Sequence, residues 1–471
     1  LSATAYAEDL NNSDANIIGH VLEKSSQEHL PYITVSLKGT TIGAMTDATG
    51  HYFLKNLPEG DFILQVSAVG YKAQSRKVTL KRGKTLEENF ELEEDLIALD
   101  GVVVTANRSE TTRRMAPTLV NVMDFKLFEN TNSATLSQGL NFQPGVRVET
   151  NCQNCGFQQV RINGLDGPYT QILIDSRPIF SALAGVYGLE QIPANMIERV
   201  EVMRGGGSAL FGSSAIAGTI NIITKEPLRN SGQLSHTITG VGGTSSWDNS
   251  TTMNASLVTD NSKAGLYIFG QNRERSGYDS DGDGFTELPK LKNQTVGFRS
   301  FLKTSAYSKL TFEYHHLQEF RRGGDLLNRP PHEANIAEQL RHSINSGGLK
   351  FDYFSPDEKH RLSVYASAQH IGRDSYYGGN QDLNAYGATK DFTWVAGSQY
   401  IYHFDRCLFM PSDLTGGVEY NQDNLKDDMW GYNRYTNQKV RIAGAFFQNE
   451  WRNRQWSILL GGRLDKHNLI N

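Results

Sequence analysis

The 471-residue chain is poor in cysteine, lacks long apolar runs and carries no excess of positive charge. Three cysteines, Cys152, Cys155 and Cys407, are too few for a disulfide-built scaffold. The single C-x-x-C has no second pair to complete a zinc site. No uninterrupted stretch of ~18 apolar residues occurs, so no helix is expected to cross a membrane. The 46 Lys+Arg stand against 51 Asp+Glu, a formal net of -5, which argues against a nucleic-acid binder. Neither an HExxH pattern nor a nucleophile–base pair appears, so no enzyme is expected. What is present is length beyond one ordinary domain, 45 glycines and 10% aromatics, at a mean hydropathy of -0.45.

The chain opens LSATAYAED, and Ala5-Tyr6-Ala7 fits the end of a secretory signal with cleavage before Glu8. Residues 1–15 are therefore expected to be a signal remnant and linker. From 16 to 91, short β-like runs follow one another: Ile33–Leu37, Tyr52–Leu54 and Phe62–Val66, separated by Asp47-Ala48-Thr49-Gly50 and Pro58-Glu59-Gly60-Asp61. That spacing predicts a small β-sandwich. The early G-x-V, the run TDATGHYFLKNLPEGDF and VGYK at Val69–Lys72 resemble the carboxypeptidase-regulatory-like domain at the front of many Bacteroidota receptors. No catalytic apparatus accompanies it, and a stability or spacing role is expected.

Residues 92–114 read as a linker carrying an apolar, β-branched run: Leu99, Asp100, Gly101, Val102, Val103, Val104, Thr105 and Ala106. Such a run is suited to pairing with an exposed sheet edge, or is another strand of a neighbouring domain. It resembles the TonB box. Residues 115–227 read as a mixed α/β unit. In order come LNFQPGVRV (Leu140–Val148), VRING (Val160–Gly164), LIDSRP (Leu173–Pro178), IERVEV (Ile197–Val202) and ALFGSSAIAGTINIIT (Ala209–Thr224). This series resembles the plug domain of TonB-dependent outer-membrane receptors, with Ser176 where that family often has Gly. Glu198, Arg199, Glu201 and Arg204 are expected to pair with a polar lumen wall.

From 228 to 471 the polarity alternates in segments of about ten residues, the weak signature of a membrane strand. About eleven such segments are visible, among them 233–241, 264–272, 309–319, 392–404 and 440–451. Short connectors (260–263, 305–308, 355–360, 452–455) alternate with long ones (273–294, 320–347, 372–391, 424–439). A transmembrane barrel has short periplasmic turns and long outer loops, whereas a soluble sandwich has no reason to alternate. The fold class expected is thus mainly β: a sandwich, an α/β plug and the first half of a 22-stranded barrel, the number being the resemblance's. An open edge in lipid is prohibitive, so the sequence is expected to be part of a longer chain.

The resemblance also implies where ligand binds. Two outward plug apices correspond to Thr150–Phe157, with Cys152, Gln153, Asn154, Cys155 and Phe157, and to Phe180–Tyr187, with Phe180, Leu183 and Tyr187. Cys152 and Cys155 are either a local disulfide or a ligand pair. In an outer loop, Asp279, Asp281 and Asp283 have D-x-D-x-D-G spacing, with Glu287 nearby, and suit Ca²⁺ or a similar hard cation. Lys290 occupies the twelfth position, so this is not an EF-hand. The loop is similar to the calcium-binding outer loop of vitamin B12 receptors. No cofactor is required. The function implied is TonB-driven import of a scarce metal chelate (ferric siderophore, haem or cobalamin) across the outer membrane of a Gram-negative bacterium, with the first domain in the periplasm. TonB with its inner-membrane motor, outer-membrane lipid and a surface lipoprotein are the partners implied. The competing readings are a non-transporting surface receptor or adhesin, and import of another large nutrient such as a glycan or peptide.

Overall fold

The computed structural model describes residues 13–68, 70–95, 102–105, 111–112, 118–152, 156–165, 167–178, 189–205, 208–243, 246–453 and 455–469. The N-terminal domain contains β1 (Asn16–Glu23), β2 (Thr34–Leu37), β3 (Gly43–Met45), β4 (His51–Leu54), β5 (Gly60–Ser67), β6 (Gln74–Leu80), β7 (Thr85–Glu87) and β8 (Phe90–Leu92). One sheet runs β4-β1-β7 with β8 also on β1, and the other runs β3-β2-β5-β6. Their facing sides bury Ile17, Val21, Val35, Leu37, Tyr52, Leu64, Val66 and Phe90. The strands alternate as a two-sheet core requires, apolar inward and polar outward.

The segment read as a box supplies only a two-residue strand, β9 (Val102–Val103). It pairs antiparallel with β10 (Thr111–Thr112), a partner the sequence did not reveal. Leu99, Asp100, Gly101 and Ala106 lie outside the described residues. The next unit holds β11 (Val120–Asp124), short helices at Phe125–Asn130 and Leu136–Leu140, the hairpin β12 (Val146–Cys152) and β13 (Phe157–Ile162), β14 (Thr170–Ile174), β15 (Ile197–Arg204) and β16 (Gly218–Thr224). Asp124 caps the first helix by accepting from Leu127 N. The sheet order is β11-β15-β16-β14. The β14–β16 pair is parallel, and its neighbours are antiparallel.

The remainder is one sheet of 11 strands in sequence order. These are β17 (Ser231–Val241), β18 (Ser246–Val258), β19 (Ala264–Arg275), β20 (Lys290–Ser305), β21 (Ser308–Gly324) and β22 (Ile336–Phe354), then β23 (His360–Gly379), β24 (Tyr386–Cys407), β25 (Met410–Met429), β26 (Arg434–Arg452) and β27 (Ser457–His467). Every pairing is antiparallel, each strand with the next. The strands are longer than the sequence suggested. Much of what read as long loops, such as 372–391, is paired strand, and the connector left is 380–385. At 22 residues and ~3.3 Å per residue, β24 reaches roughly 70 Å, well beyond an apolar band of ~25 Å.

The sheet's alternation is inverted relative to the sandwich. Thr295 is 5% exposed and Val296 55%; Glu419 is 7% and Val418 57%; Gln448 is 2% and Phe447 61%. Polar side chains therefore face the middle unit, and apolar ones face out.

Candidate functional site

The middle unit sits against the polar face of the long sheet, held by buried charge. Glu190 lies in a helical turn at 189–191, just before Ile192-Pro193, and meets three arginines of the sheet. Arg321 Nη2 lies 2.8 Å from its Oε2, and Arg273 Nη1 and Arg275 Nη1 each lie 3.3 Å from Oε1. Burial alone would raise the Glu190 pKa. Arg321, then Arg275 and Arg273, outweigh it and hold it at about 2. Gln191 donates to Glu319 Oε1 at 3.0 Å, and Arg321 Nε binds the same oxygen at 2.8 Å. A second group joins Asp175 and Arg177, at the end of β14, to Arg299 of β20 and Glu313 of β21. Here Arg299 Nη1 is 3.3 Å from Glu313 Oε2, and Arg177 Nη1 donates to Ser367 Oγ at 3.1 Å. Neutral bonds add to these: Tyr267 Oη donates to Asn195 O at 2.7 Å, and Asn195 Nδ2 donates to Gly270 O at 3.0 Å.

The charges expected to pair with the wall also find partners inside the unit itself, while Glu198 is drawn as well to Arg299 of the sheet. Arg199 pairs with Glu201 at 2.9 Å and Glu198 at 3.2 Å, and Arg204 donates to Pro144 O. Alternation along β15 turns Glu201 away from the wall and toward the preceding segment. There its buried Oε2 accepts from Val104 N (2.9 Å), Thr105 N (2.9 Å) and Thr105 Oγ1 (2.6 Å). Asn221 Nδ2 donates to the Thr105 hydroxyl at 3.1 Å. Val103 is fully buried against Val120, Leu173, Met203 and Leu210. The described part of the predicted box is thus docked, with one carboxylate receiving three of its donors. A charged acceptor makes each such bond stronger than a neutral one.

Of the first predicted apex, Cys152 ends β12 and Phe157 begins β13; Gln153, Asn154 and Cys155 lie outside the described residues. Cys152 is disulfide-bonded, and among the described residues Cys407 is free. The apex reaches the end of the sheet that carries the longer connectors. Cys152 Sγ lies 3.3 Å from Glu338 Oε2, and Arg321 Nη1 donates to Gly156 O at 3.2 Å. The opposite end meets the N-terminal domain, where Thr41 N donates to Ala306 O at 2.8 Å and Arg229 lies 3.8 Å over the Tyr32 ring. Phe180, Leu183 and Tyr187 lie outside the described residues.

Asp279, Asp281 and Asp283 are brought together, with one carboxylate oxygen of each within 4.8 Å of the others. The loop is shaped by its own amides: Asp279 accepts from Gly282 N at 2.7 Å and Gly284 N at 2.8 Å. Those bonds, Gly284 N first, hold the Asp279 carboxyl below its ordinary pKa. Glu287 does not join the group and accepts from Ser280 N instead.

Comparison with known proteins agrees with this arrangement. The family model described as a TonB-dependent receptor plug domain matches residues 112–219, and a CarboxypepD_reg-like domain matches 17–104, running into the predicted box. The vitamin B12 transporter BtuB of Vibrio vulnificus strain CMCP6 is 38% identical over 125 residues, 26% of this chain and 20% of that protein. The transporter of the same name from Vibrio cholerae strain M66-2 is 33% identical over 124 residues, again 26% and 20%. Among solved structures, the siderophore receptor PirA from Acinetobacter baumannii aligns with TM-score 0.63 at 18% identity, over 76% of this chain and 57% of that one. The unliganded ferric citrate transporter FecA aligns with TM-score 0.59 at 14% identity, over 74% and 56%. The chain therefore spans about a fifth of those curated relatives' length and a little over half of the solved receptors'. With a receptor plug packed on the inner face of an 11-stranded sheet, behind a CarboxypepD_reg-like domain, the chain belongs to the TonB-dependent receptors.

Proposed function

We propose that the chain acts in TonB-driven import of a metal chelate across the outer membrane. The observation that supports this reading is the docked segment at Val103–Thr105, where the buried carboxylate of Glu201 accepts from the Val104 and Thr105 amides and the Thr105 hydroxyl. Once Glu201 lets go, the same amides are free to pair with a partner strand. Ligand at the apices favours release by binding the released state better.

The outward face of the sheet supports a place in lipid. Along β25 it passes from Leu414, Gly416, Val418 and Tyr420 to Gln422, Asn424 and Lys426. On β24 the aromatics Trp394, Tyr400, Tyr402 and Phe404 share that face. Trp394 and Phe404 are ~33 Å apart along the strand, which at a tilt of ~40° spans about the ~25 Å apolar band. Residues 115–227 then form the plug and 228–471 barrel wall, with residues 16–91 in the periplasm.

The ligand apices in this reading are the segments Thr150–Phe157 and Phe180–Tyr187, and the chelate class includes cobalamin, ferric siderophore and haem. The Asp279, Asp281 and Asp283 group would hold a hard cation such as Ca²⁺, bracing the outer loop; each carboxylate keeps lone pairs beyond those used by the loop amides. A surface lipoprotein is a further partner in this reading. The test is uptake of radiolabelled cobalamin and of a ferric siderophore by cells with this receptor as their sole route. Deletion of 99–106 should abolish uptake while surface binding persists. Uptake unchanged by the deletion would overturn the role given to 99–106, and no uptake with the intact chain would favour a receptor that does not transport.

A further inference from the structure

Three histidines of the N-terminal domain meet on its outer surface, away from the plug and its ligand apices. His20 of β1 and His51 of β4 are cross-strand partners in the antiparallel register. His29 bridges back to Leu22 on the return segment. The ring centroids are 5.4 Å apart for His20–His29, 5.8 Å for His20–His51 and 5.0 Å for His29–His51. The sandwich core does not need these rings: Val21 and Tyr52, their neighbours in sequence, close it from the opposite face. His29 and His51 are exposed and His20 half-buried.

The separation of the ring centroids matches that of a tri-imidazole site, while the ring nitrogens as they stand do not yet converge on one point. Nitrogens bound at ~2.0–2.1 Å around a tetrahedral ion put the ring centroids ~5 Å apart. His29 and His51 are stacked at 27° between planes, so binding an ion would require His20 and His29 to turn about χ1 and χ2 toward His51. The backbones are already close. Gly50 has φ +76°, and a Cβ there would come 2.8 Å from His29 Cβ, so only glycine lets the third histidine approach.

A second observation concerns the tautomer. Asp47 Oδ1 accepts from Thr49 N (2.8 Å), Thr49 Oγ1 (2.7 Å) and His51 N (3.0 Å). With three donors, two of them backbone amides, converging on that one oxygen, it is an acceptor there. Thr49 has one hydroxyl proton and gives it to Asp47. Its oxygen, 3.1 Å from His51 Nδ1, must then accept from Nδ1–H. The relay leaves the His51 Nε2 lone pair available, as when a carboxylate orients a metal-binding imidazole.

We propose that His20, His29 and His51 bind a divalent transition-metal ion of the borderline class (Zn²⁺, Cu²⁺ or Ni²⁺) on the N-terminal domain, with Thr49 and Asp47 orienting His51. Imidazole donors select that class over Ca²⁺ or Mg²⁺. Three protein ligands leave a position for water or an external donor, the geometry of a site that exchanges its ion rather than a closed structural one. The ion would clamp β1, β4 and the return segment together. This site stands independently of the transport reading.

The test is titration of the full chain with Zn²⁺ alone, in a background where Asp279, Asp281 and Asp283 are Asn so that the outer loop does not compete. One Zn²⁺ per chain is expected. His29→Ala and His51→Ala should each weaken binding by at least the ~10–100-fold that loss of a ligand's hydrogen-bonding partner costs. His29 is exposed, so its variant keeps the fold, checked by circular dichroism. Thr49→Val should weaken binding about tenfold and Thr49→Ser restore it. The electron paramagnetic resonance of bound Cu²⁺ should show three imidazole nitrogens in the parent and two in His29→Ala. Equal Zn²⁺ affinity in the parent, His29→Ala and His51→Ala would overturn the proposal, as would a Cu²⁺ spectrum unchanged by His29→Ala.

Discussion

The N-terminal sandwich and the long sheet are both antiparallel strands with a two-residue period, yet they sort residues in opposite senses. In the sandwich, Val35, Leu37 and Leu64 point inward and charge points to water. In the long sheet, Gln271, Arg273, Glu319 and Arg321 point inward, while Leu234, Val418 and Phe447 point out. Pleating gives each strand two faces; it does not say which face is apolar. The surroundings decide that. Water outside and a dry core inside give the first pattern, and the lipid proposed outside, with a polar plug inside, would give the second.

The sharpest way to break the comparison is to remove charge from each region. Glu190→Ala leaves buried Arg275 without a carboxylate, while Arg273 keeps Asp248 and Arg321 keeps Glu319. The expected loss is about 3–5 kcal/mol, because a buried charge is left without its partner. Glu93→Ala in the sandwich breaks pairs of similar length, to Lys24 at 2.5 Å and Lys72 at 2.8 Å, but these are exposed to water. There the loss should be far smaller, because water screens the pair. Thermal unfolding of both variants decides it, and equal losses would contradict a dry plug–wall contact. The same carboxylate sets a pH limit. Its folded pKa of about 2 lies below the ordinary 4.5. Its stabilisation is therefore complete above about pH 4.5 and is lost as pH falls toward 2; Glu190→Gln should flatten that part of the profile.

A charge added outward makes the next contrast. Val418→Arg should cost about 2–4 kcal/mol in a bilayer if the residue lies near mid-depth. Phe53→Arg, on the outer face of β4, should stay within about 0.5 kcal/mol, as water-facing substitutions do. Urea unfolding in lipid vesicles measures both.

A smaller effect concerns the docked segment. Glu201→Gln keeps the shape but removes the charge that receives the Val104 and Thr105 amides. Hydrogen bonds to a charged group are worth ~1.5–3 kcal/mol, so exchange of those amides should accelerate by roughly 10–100-fold. Unchanged exchange would mean that apolar burial of Val103, not the carboxylate, holds the segment.

The sequence was most legible where the two faces of the long sheet differ in polarity. All 11 strands of the long sheet were visible in outline, because Val418 beside Glu419 or Phe447 beside Gln448 leaves an alternating trace. Strand ends were lost above the apolar band. There Gln422, Asn424 and Lys426 point out while Asp423 and Asp427 point in, so the period vanishes and paired strand reads as loop. The contacts that hold the plug were hidden for a different reason. Glu190 looks like any surface glutamate, and its partner Arg321 is 131 positions away, so no local pattern joins them. Glu201 was noticed as a charge, but its partner was assigned to the wall; the strand period alone cannot say which side holds the wall. The first turn was legible through its C-x-x-C, and Cys152 does reach the long-connector end beside Glu338.

The central claim is that the outward face of the long sheet lies in lipid while the inward face meets the plug. It is tested most directly by nitroxides attached one at a time at 418, 419, 447 and 448, in full chains with Cys407 replaced by Ser and reconstituted in bilayers. Positions 418 and 447 should be relaxed strongly by oxygen and weakly by a water-soluble nickel complex, with 419 and 448 shielded from oxygen. Strong relaxation of 418 and 447 by the nickel complex would place that face in water and contradict the account.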